Sequence, residues 1–248
     1  MKSNPISQTE QKKLAAQFAI DDLVELGLIF SGMKIGLGTG STAMPAVTRL
    51  AEHIREGRLS GIRAVATSFQ TTIACEELGI PVFSMNSREI GGSLDLAIDG
   101  ADEVSPSKNL IKGGGAALLL EKIIAYNSKI FVIVADESKA VSSLGIKFPL
   151  PVEIIAEARV SAVAALSSLG ATATLREGVR KAGPVITDNG NLIVDCLWAA
   201  KEDGSSPVDP AAMERAIDDI VGVVENGFFT RNKPMVYVAH ADGSVEKR

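Results

Sequence analysis

Lys129-Ile130-Phe131-Val132-Ile133-Val134-Ala135 is a run of apolar side chains behind a single lysine, with no polar residue at alternate positions. A strand with one wet face would alternate, so this stretch predicts a strand covered on both faces. Shorter stretches of the same kind precede it: Met33 to Leu37, Ile62 to Thr67, Pro81 to Met85 and Leu94 to Ile98. Between them lie helical patterns at Ala43 to Gly57 and Thr71 to Leu78, and a further one opens at Gly113 to Gly115 and runs through Tyr126. Strands alternating with helices predict a parallel sheet covered on both sides. Upstream, Ser7-Gln8-Thr9-Glu10 has capping-box spacing ahead of an amphipathic run, Lys13 to Leu26.

Beyond Gly145 the rhythm changes, and Phe148-Pro149-Leu150-Pro151 reads as a boundary. The residues past this boundary read strand (Val152 to Ile155), helix (Ala156 to Leu169), strand (Thr172 to Arg176) and strand (Leu192 to Cys196) after the turn Asp188-Asn189-Gly190-Asn191. Asp209-Pro210 then starts a helix, with Asp as N-cap and Pro at the first position, and Val221 to Glu225 closes the series. This order, β-α-β-β-α-β, is the split βαβ pattern. The expected fold is therefore α/β. A Rossmann-like parallel-sheet domain takes residues 1–147 plus 228–248, with Met235 to Ala239 returning to its sheet. A smaller α+β, ferredoxin-like domain over 148–227 serves as lid or oligomerisation surface.

Composition narrows the function classes. The 248 residues are 46% hydrophobic but only 4% aromatic, with 23 glycines, which favours tight-turned α/β architecture over a base-stacking surface. Net charge is −5 and no basic stripe is present, against a nucleic-acid binder. Cys75 and Cys196 form no CxxC and read as buried thiols of a reducing compartment. The opening MKSNPISQTEQKK lacks an apolar signal core, and no uncharged apolar run approaches the ~20 residues of a membrane span, so a soluble, cytoplasmic protein is expected. The two histidines, His53 and His240, preclude a three-histidine zinc site and adjoin neither a glycine-rich loop nor a carboxylate cluster in the sequence. Acid–base chemistry is left to carboxylates or lysines.

In open parallel sheets ligands sit outside the carboxyl ends of strands, and four polar or glycine-rich segments are expected there: 38–42, 99–103, 112–115 and 135–139. In Gly36-Leu37-Gly38-Thr39-Gly40-Ser41-Thr42 the glycines admit an anion to backbone N–H groups, and two kinds of hydroxyl add donors. Gly38, Gly40 and Ala43 loosely fit a dinucleotide fingerprint, but the second strand ends in Thr67-Ser68 without the required acid. No lysine comes after the glycines, which excludes a Walker A loop. Asp99-Gly100-Ala101-Asp102-Glu103 offers carboxylates for acid–base work, a divalent metal or a solvated turn. In Lys112-Gly113-Gly114-Gly115 the glycines suit close approach to a ligand. Glu121 lies further along the same helix. Its neighbours three and four positions away, Ala117, Leu118, Ile124 and Ala125, are apolar. A carboxylate on such a stripe is desolvated, which suits a general base, although a helix-edge glutamate paired with a lysine would look similar. Ala135-Asp136-Glu137-Ser138-Lys139 places a cation, Lys139, after the 129–135 strand.

With these segments in hand, the chain resembles the ribose-5-phosphate isomerase A family. The matching stretches are GLGTGSTA (36–43), DLAIDGADEV (95–104), LIKGGGAALLLEKIIA (110–125), FVIVADESK (131–139), KFPLPVEII (147–155) and VITDNGNLIVD (185–195), in order along most of the chain. The resemblance implies reversible conversion of ribose 5-phosphate to ribulose 5-phosphate, with no metal and no organic cofactor. It implies that Glu121 is the proton acceptor and that substrate contacts come from Thr39, Gly40, Ser41 and Thr42, from Asp99, Gly100, Ala101 and Asp102, from Lys112, Gly113, Gly114 and Gly115, and from Lys139. An Asp of the 99–102 pair with Lys112 is then expected to open the sugar ring, and Glu121 to move a proton between C2 and C1 through an enediolate. The resemblance also implies an enzyme of the cytosol, or of the plastid in plants, that is usually a dimer or tetramer. The stretch Glu225-Asn226-Gly227-Phe228-Phe229 implies no role. The rival readings are a sugar-phosphate sensor, for which no output module is evident, and a related sugar-phosphate enzyme on the same fold, such as an amino-sugar-phosphate deaminase, or a CoA transferase.

Overall fold

The computed structural model describes residues 5–248; residues 1–4, the start of the MKSNPISQTEQKK segment, lie outside them. In chain order the elements are α1 (Gln8–Glu25), β1 (Lys34–Leu37), α2 (Met44–Arg55), β2 (Arg63–Ala66), α3 (Phe69–Glu77), β3 (Leu94–Gly100), β4 (Glu103–Val104) and β5 (Leu110–Ile111). Then come α4 (Leu118–Tyr126), β6 (Ser128–Asp136), β7 (Leu150–Ile154), α5 (Arg159–Ser168), β8 (Thr172–Leu175) and β9 (Leu192–Leu197). The last are α6 (Pro210–Asp218), β10 (Val223–Asn226), β11 (Phe228–Phe229), β12 (Met235–Ala239) and β13 (Val245–Lys247). They form two compact units. The first holds the described residues up to Gly100, with Leu120–Ala140 and Asn232–Arg248; the second holds Ala101–Leu119 and Val141–Arg231.

In the first unit the described residues form a sheet of order β13-β12-β6-β3-β1-β2, parallel except for the hairpin edge strand β13. The 129–135 run lies in β6, which is buried from Phe131 through Asp136, as an interior parallel strand must be. One face carries α1 and α2, where Ala15, Ala16, Ala19, Ile20, Leu23, Val47 and Leu50 pack on Ile35, Leu37, Val132 and Val134. The small alanines let α1 lie close. Its capping box forms as the sequence predicts: Ser7 N–H donates to Glu10 Oε2 at 2.7 Å and Glu10 N–H to Ser7 Oγ at 3.3 Å. On the other face Ile124 of α4 lies against Gly36 of β1. Pro81 to Met85, expected as a strand, is not one. Val82 makes a lone bridge to Ala64, because the chain turns at Met85 and Pro81 has no N–H to extend a ladder.

In the second unit β7, β8, β9 and β10 pair antiparallel in the order β10-β7-β9-β8, the arrangement of a β-α-β-β-α-β ferredoxin-like sheet. Val152, Ile154, Val194 and Cys196 face Ala162, Leu166 and Ile217 of its helices. A second, three-stranded sheet of order β11-β5-β4 was not legible, since each of its strands has two residues. Cys75 and Cys196 are both free and fully buried. Burial pushes their thiols up, to about 11 for Cys75 and about 12 for Cys196. Among the described residues no helix is long and apolar enough to cross a membrane.

Candidate active site

The strand order reverses between β1 and β3: the chain leaves β1 toward β2 on one side and returns to β3 on the other. At such a switch point the loops after the two strands diverge and leave a crevice at their carboxyl ends. Here the loop after β1 carries Gly38 to Thr42, and β3 ends in Asp99-Gly100. They interlock. Asp99 is 4% exposed, and its Oδ1 accepts the Thr39 N–H at 3.2 Å and the Gly100 N–H at 2.7 Å. A Cβ on Gly38 would fall 1.9 Å from that same Oδ1, so only glycine fits. Gly100 is less tight: a Cβ there would meet Thr42 Cβ at 3.2 Å.

The loop after β2, notable in the sequence only for the acid it lacks, supplies residues the sequence reading missed. Thr39 Oγ1 lies 2.6 Å from Thr67 Oγ1, 2.7 Å from Ser68 Oγ and 3.3 Å from Thr71 Oγ1. Buried Thr71 also donates to the Gly38 carbonyl at 2.7 Å, and Gln70 Oε1 accepts the Gly40 N–H at 3.0 Å. From α1, Lys12 Nζ reaches Ser41 Oγ at 3.2 Å, and Gln8 Nε2 reaches Asp136 Oδ1 at 3.2 Å and Ser138 Oγ at 3.1 Å. Asp136, fully buried at the end of β6, caps the short 3-10 turn Glu137–Lys139 through the Ser138 N–H, leaving Lys139 half-buried. One expectation is corrected here. His240 lies outside the loops in sequence, but it directly follows β12, the strand beside β6, and its Nδ1 stands 3.3 Å from Glu137 Oε2 in the 135–139 segment.

Glu121 is 5% exposed in the first turn of α4. Its stripe neighbours Ala117, Leu118, Ile124 and Ala125 are buried too. A helix that feeds a parallel strand runs against the strand direction, so its N-terminal part lies toward the carboxyl edge of the sheet. That brings Glu121 to the edge where β1, β3 and β6 end. The first unit thus assembles Thr39 to Thr42, Asp99, Gly100, Glu121 and Lys139 along one sheet edge.

In the second unit Asp102 and the 112–115 segment come together. Asp102 Oδ2 accepts the Gly114 N–H at 2.8 Å, and the Asp102 N–H donates to the Ile111 carbonyl at 2.8 Å. Lys112 is 2% exposed, its Nζ 5.6 Å from the centroid of the Phe229 ring. Two expectations change. The 112–115 segment comes after the short strand β5 of the second unit rather than after a strand of the parallel sheet. The glycines also do not open the helix. Ala116 takes a left-handed φ of 58°, and its N–H closes a turn on the Gly113 carbonyl at 3.0 Å, so α4 begins only at Leu118. Any anion-binding N–H groups here are those of a turn.

The acidic trio 99–103 divides among different loops. Asp99 holds the β1 loop and Asp102 the glycine turn. Glu103 is buried and accepts the N–H groups of Gly145 at 2.7 Å and Phe148 at 3.0 Å; burial raises its carboxyl above the usual range. Among the described residues no group of three His, Cys, Asp or Glu side chains could hold a metal ion. The 225–229 stretch, for which no role was expected, flanks Lys112. The Lys112 N–H donates to the Gly227 carbonyl at 2.9 Å, and a Cβ on Gly227 would lie 2.4 Å from the Lys112 carbonyl oxygen. Buried carboxylates beside hydroxyl- and glycine-lined loops suit proton transfer on a small polyhydroxylated anion.

The profile of the family described as ribose 5-phosphate isomerase A (phosphoriboisomerase A) matches residues 63–243. The chain is 61% identical over 238 residues to the ribose-5-phosphate isomerase A of Treponema denticola, covering 96% of this chain and 98% of that one. Among solved structures, ribose 5-phosphate isomerase A from Methanocaldococcus jannaschii is 40% identical, with a TM-score of 0.85 over 98% of this chain and 100% of that one. A D-ribose-5-phosphate isomerase in complex with phospho-erythronic acid is 41% identical, with a TM-score of 0.87 over 98% and 99%. With sequence identity of this level sustained over nearly its whole length, the chain belongs to the ribose 5-phosphate isomerase A family.

Proposed function

We propose that this chain interconverts ribose 5-phosphate and ribulose 5-phosphate, as its relatives are named to do. The observation that carries the mechanism is Glu121, a carboxylate 5% exposed among apolar helix neighbours at the carboxyl edge of the parallel sheet. The isomerisation is redox-neutral. One base takes the proton from C2, an enediolate forms, the hydroxyl proton passes from O2 to O1, and the base returns its proton to C1. Glu121 is that base. Ring opening falls to a carboxylate of the Asp99–Asp102 segment with Lys112. The developing oxyanion is met by Lys112 and by the N–H groups of the 113–115 turn other than that of Gly114, which Asp102 holds; each preorganised donor typically contributes about 3–4 kcal/mol. The Thr39 to Thr42 loop and Lys139 hold the phosphate. One solved relative is in complex with phospho-erythronic acid, a phosphorylated sugar acid, which supports a sugar-phosphate substrate for this chain. No cofactor is needed for this sequence of steps. The chain is taken to work in the cytoplasm and to form a homodimer or homotetramer; light scattering of the purified protein checks the number of subunits.

Measuring ketose formation from ribose 5-phosphate tests the reading. The expected result is conversion to an equilibrium mixture at a rate unchanged by exhaustive chelation. Absence of conversion overturns the assignment, and a complete loss restored by added metal overturns the metal-free mechanism.

A further inference from the structure

Two of the sequence motifs, KFPLPVEII (147–155) and VITDNGNLIVD (185–195), have no task in the chemistry above. Their polar members build one arrangement in the second unit. Glu153, fully buried in β7, accepts Thr187 Oγ1 and Asn191 Nδ2, each at 2.9 Å, and so pins the turn that leads into β9. Further along β9, Asp195 Oδ2 accepts Arg176 Nε at 2.8 Å, and Asp195 Oδ1 accepts Arg176 Nη2, a two-point pair of modest exposure. The guanidinium has one nitrogen left. Arg176 Nη1 donates to the Gly113 carbonyl and to the Gly114 carbonyl, both at 3.1 Å.

That double contact fixes where the N–H groups of the glycine turn point. Among the described residues no peptide is cis, and in a trans peptide the C=O and N–H point in opposite directions. With the Gly113 carbonyl on Arg176, the Gly114 N–H faces the opposite side, where Asp102 Oδ2 accepts it at 2.8 Å. With the Gly114 carbonyl also on Arg176, the Gly115 N–H is turned to that same side. Consecutive glycines would otherwise flip their peptides at little cost. A cation on the carbonyls also polarises both peptides and strengthens their N–H groups as donors.

We propose that Arg176, held by Asp195, is a positioning residue for the isomerisation: it orients and polarises the Gly113–Gly115 peptides that face the substrate. This rests on the reading that the glycine turn contacts the sugar phosphate. Lysine cannot replace it, because one ammonium cannot hold a carboxylate at two points and two carbonyls together.

Arg176 lines a cavity of about 510 Å³ with Gly114, Gly115 and Asp195, so a small cation can enter the space the side chain vacates. The experiment measures kcat and KM on ribose 5-phosphate for the unaltered chain, Arg176→Ala and Arg176→Lys, with thermal melts of each and with added guanidinium chloride or urea at equal concentration. The expected result for Arg176→Ala is a kcat lower by about tenfold or more, below the loss for removing an oxyanion donor outright, with KM within about twofold. Guanidinium, but not urea, restores part of that kcat. Arg176→Lys, which keeps the stem and the charge, also loses kcat and carries the test if the alanine variant does not fold. Wild-type kcat in either variant, or a loss in Arg176→Ala that guanidinium leaves untouched, overturns the proposal. An unaltered chain without isomerase activity overturns the functional reading along with it.

Discussion

A Cβ built on Gly36 would lie 2.3 Å from Cγ2 of Ile124, so the helix that bears Glu121 seats its Ile124 side chain directly on the backbone of the first strand. Ile124 is one turn beyond Glu121. The depth at which that helix seats on the sheet therefore sets the position of the carboxylate. Gly36→Ala must push the helix outward; overpacking of this kind typically destabilises by about 1–3 kcal/mol. Thermal melting should show that loss, and kcat should fall more than KM changes, since a displacement of about 1 Å can remove ~10²-fold of rate. Adding Ile124→Ala to the same chain should restore part of both. Unchanged melting and turnover in Gly36→Ala would show that the helix is not seated by this contact.

The hydroxyl cluster behind Thr39 gives a second prediction. Thr71→Val keeps the side-chain shape but strips the buried Gly38 carbonyl of its 2.7 Å partner, a loss of about 1–3 kcal/mol. Because the Gly38–Thr42 loop is assigned to the phosphate, KM should rise severalfold with a smaller change in kcat. Thr71→Ser retains the donor and should stay close to the unaltered enzyme. Equal kinetics for the valine and serine variants would remove the cluster from any role in binding.

Acid sensitivity arises from carboxylates held below their ordinary range. Burial opposes ionisation at Asp21, Asp22 and Asp95, but partners outweigh it: Arg49 and His53 at Asp21, Lys247 and Tyr237 at Asp22, the Lys34 N–H and Lys129 at Asp95. A depressed folded pKa contributes stability that is fully present above the unfolded value, near 3.9, and is lost as pH falls through the folded value. The contribution of these groups to the melting temperature should therefore stay constant between neutral pH and about 5, and should drop steeply below about 4. Asp22→Asn should lower stability at neutral pH and flatten part of that acid slope. A variant with the same slope as the unaltered chain would assign the acid transition to other groups.

The alternating strands and helices, and the β-α-β-β-α-β series after Pro151, were legible because period and punctuation agree there. Pro81 to Met85 misled because an apolar run says nothing about the missing proline N–H. The two-residue strands around Lys112 carry no periodic signal at all. At the site, Glu121 stood out because a charge on an apolar stripe is a local contradiction visible in one helix turn. Thr71 and Arg176 did not, since their partners Gly38 and Gly113–Gly114 are distant in sequence and a lone threonine or arginine looks like surface. The start of α4 was misplaced for a related reason: the left-handed Ala116 has no compositional mark.

The most direct test of Glu121 as the base is the turnover of Glu121→Gln on ribose 5-phosphate beside the unaltered chain, with melting temperature and KM recorded for both. Glutamine keeps the volume and polarity of the buried side chain but cannot accept the C2 proton. The predicted result is a kcat lower by at least ~10²-fold, with KM and melting temperature little changed. Near-normal turnover in a folded Glu121→Gln protein would contradict it.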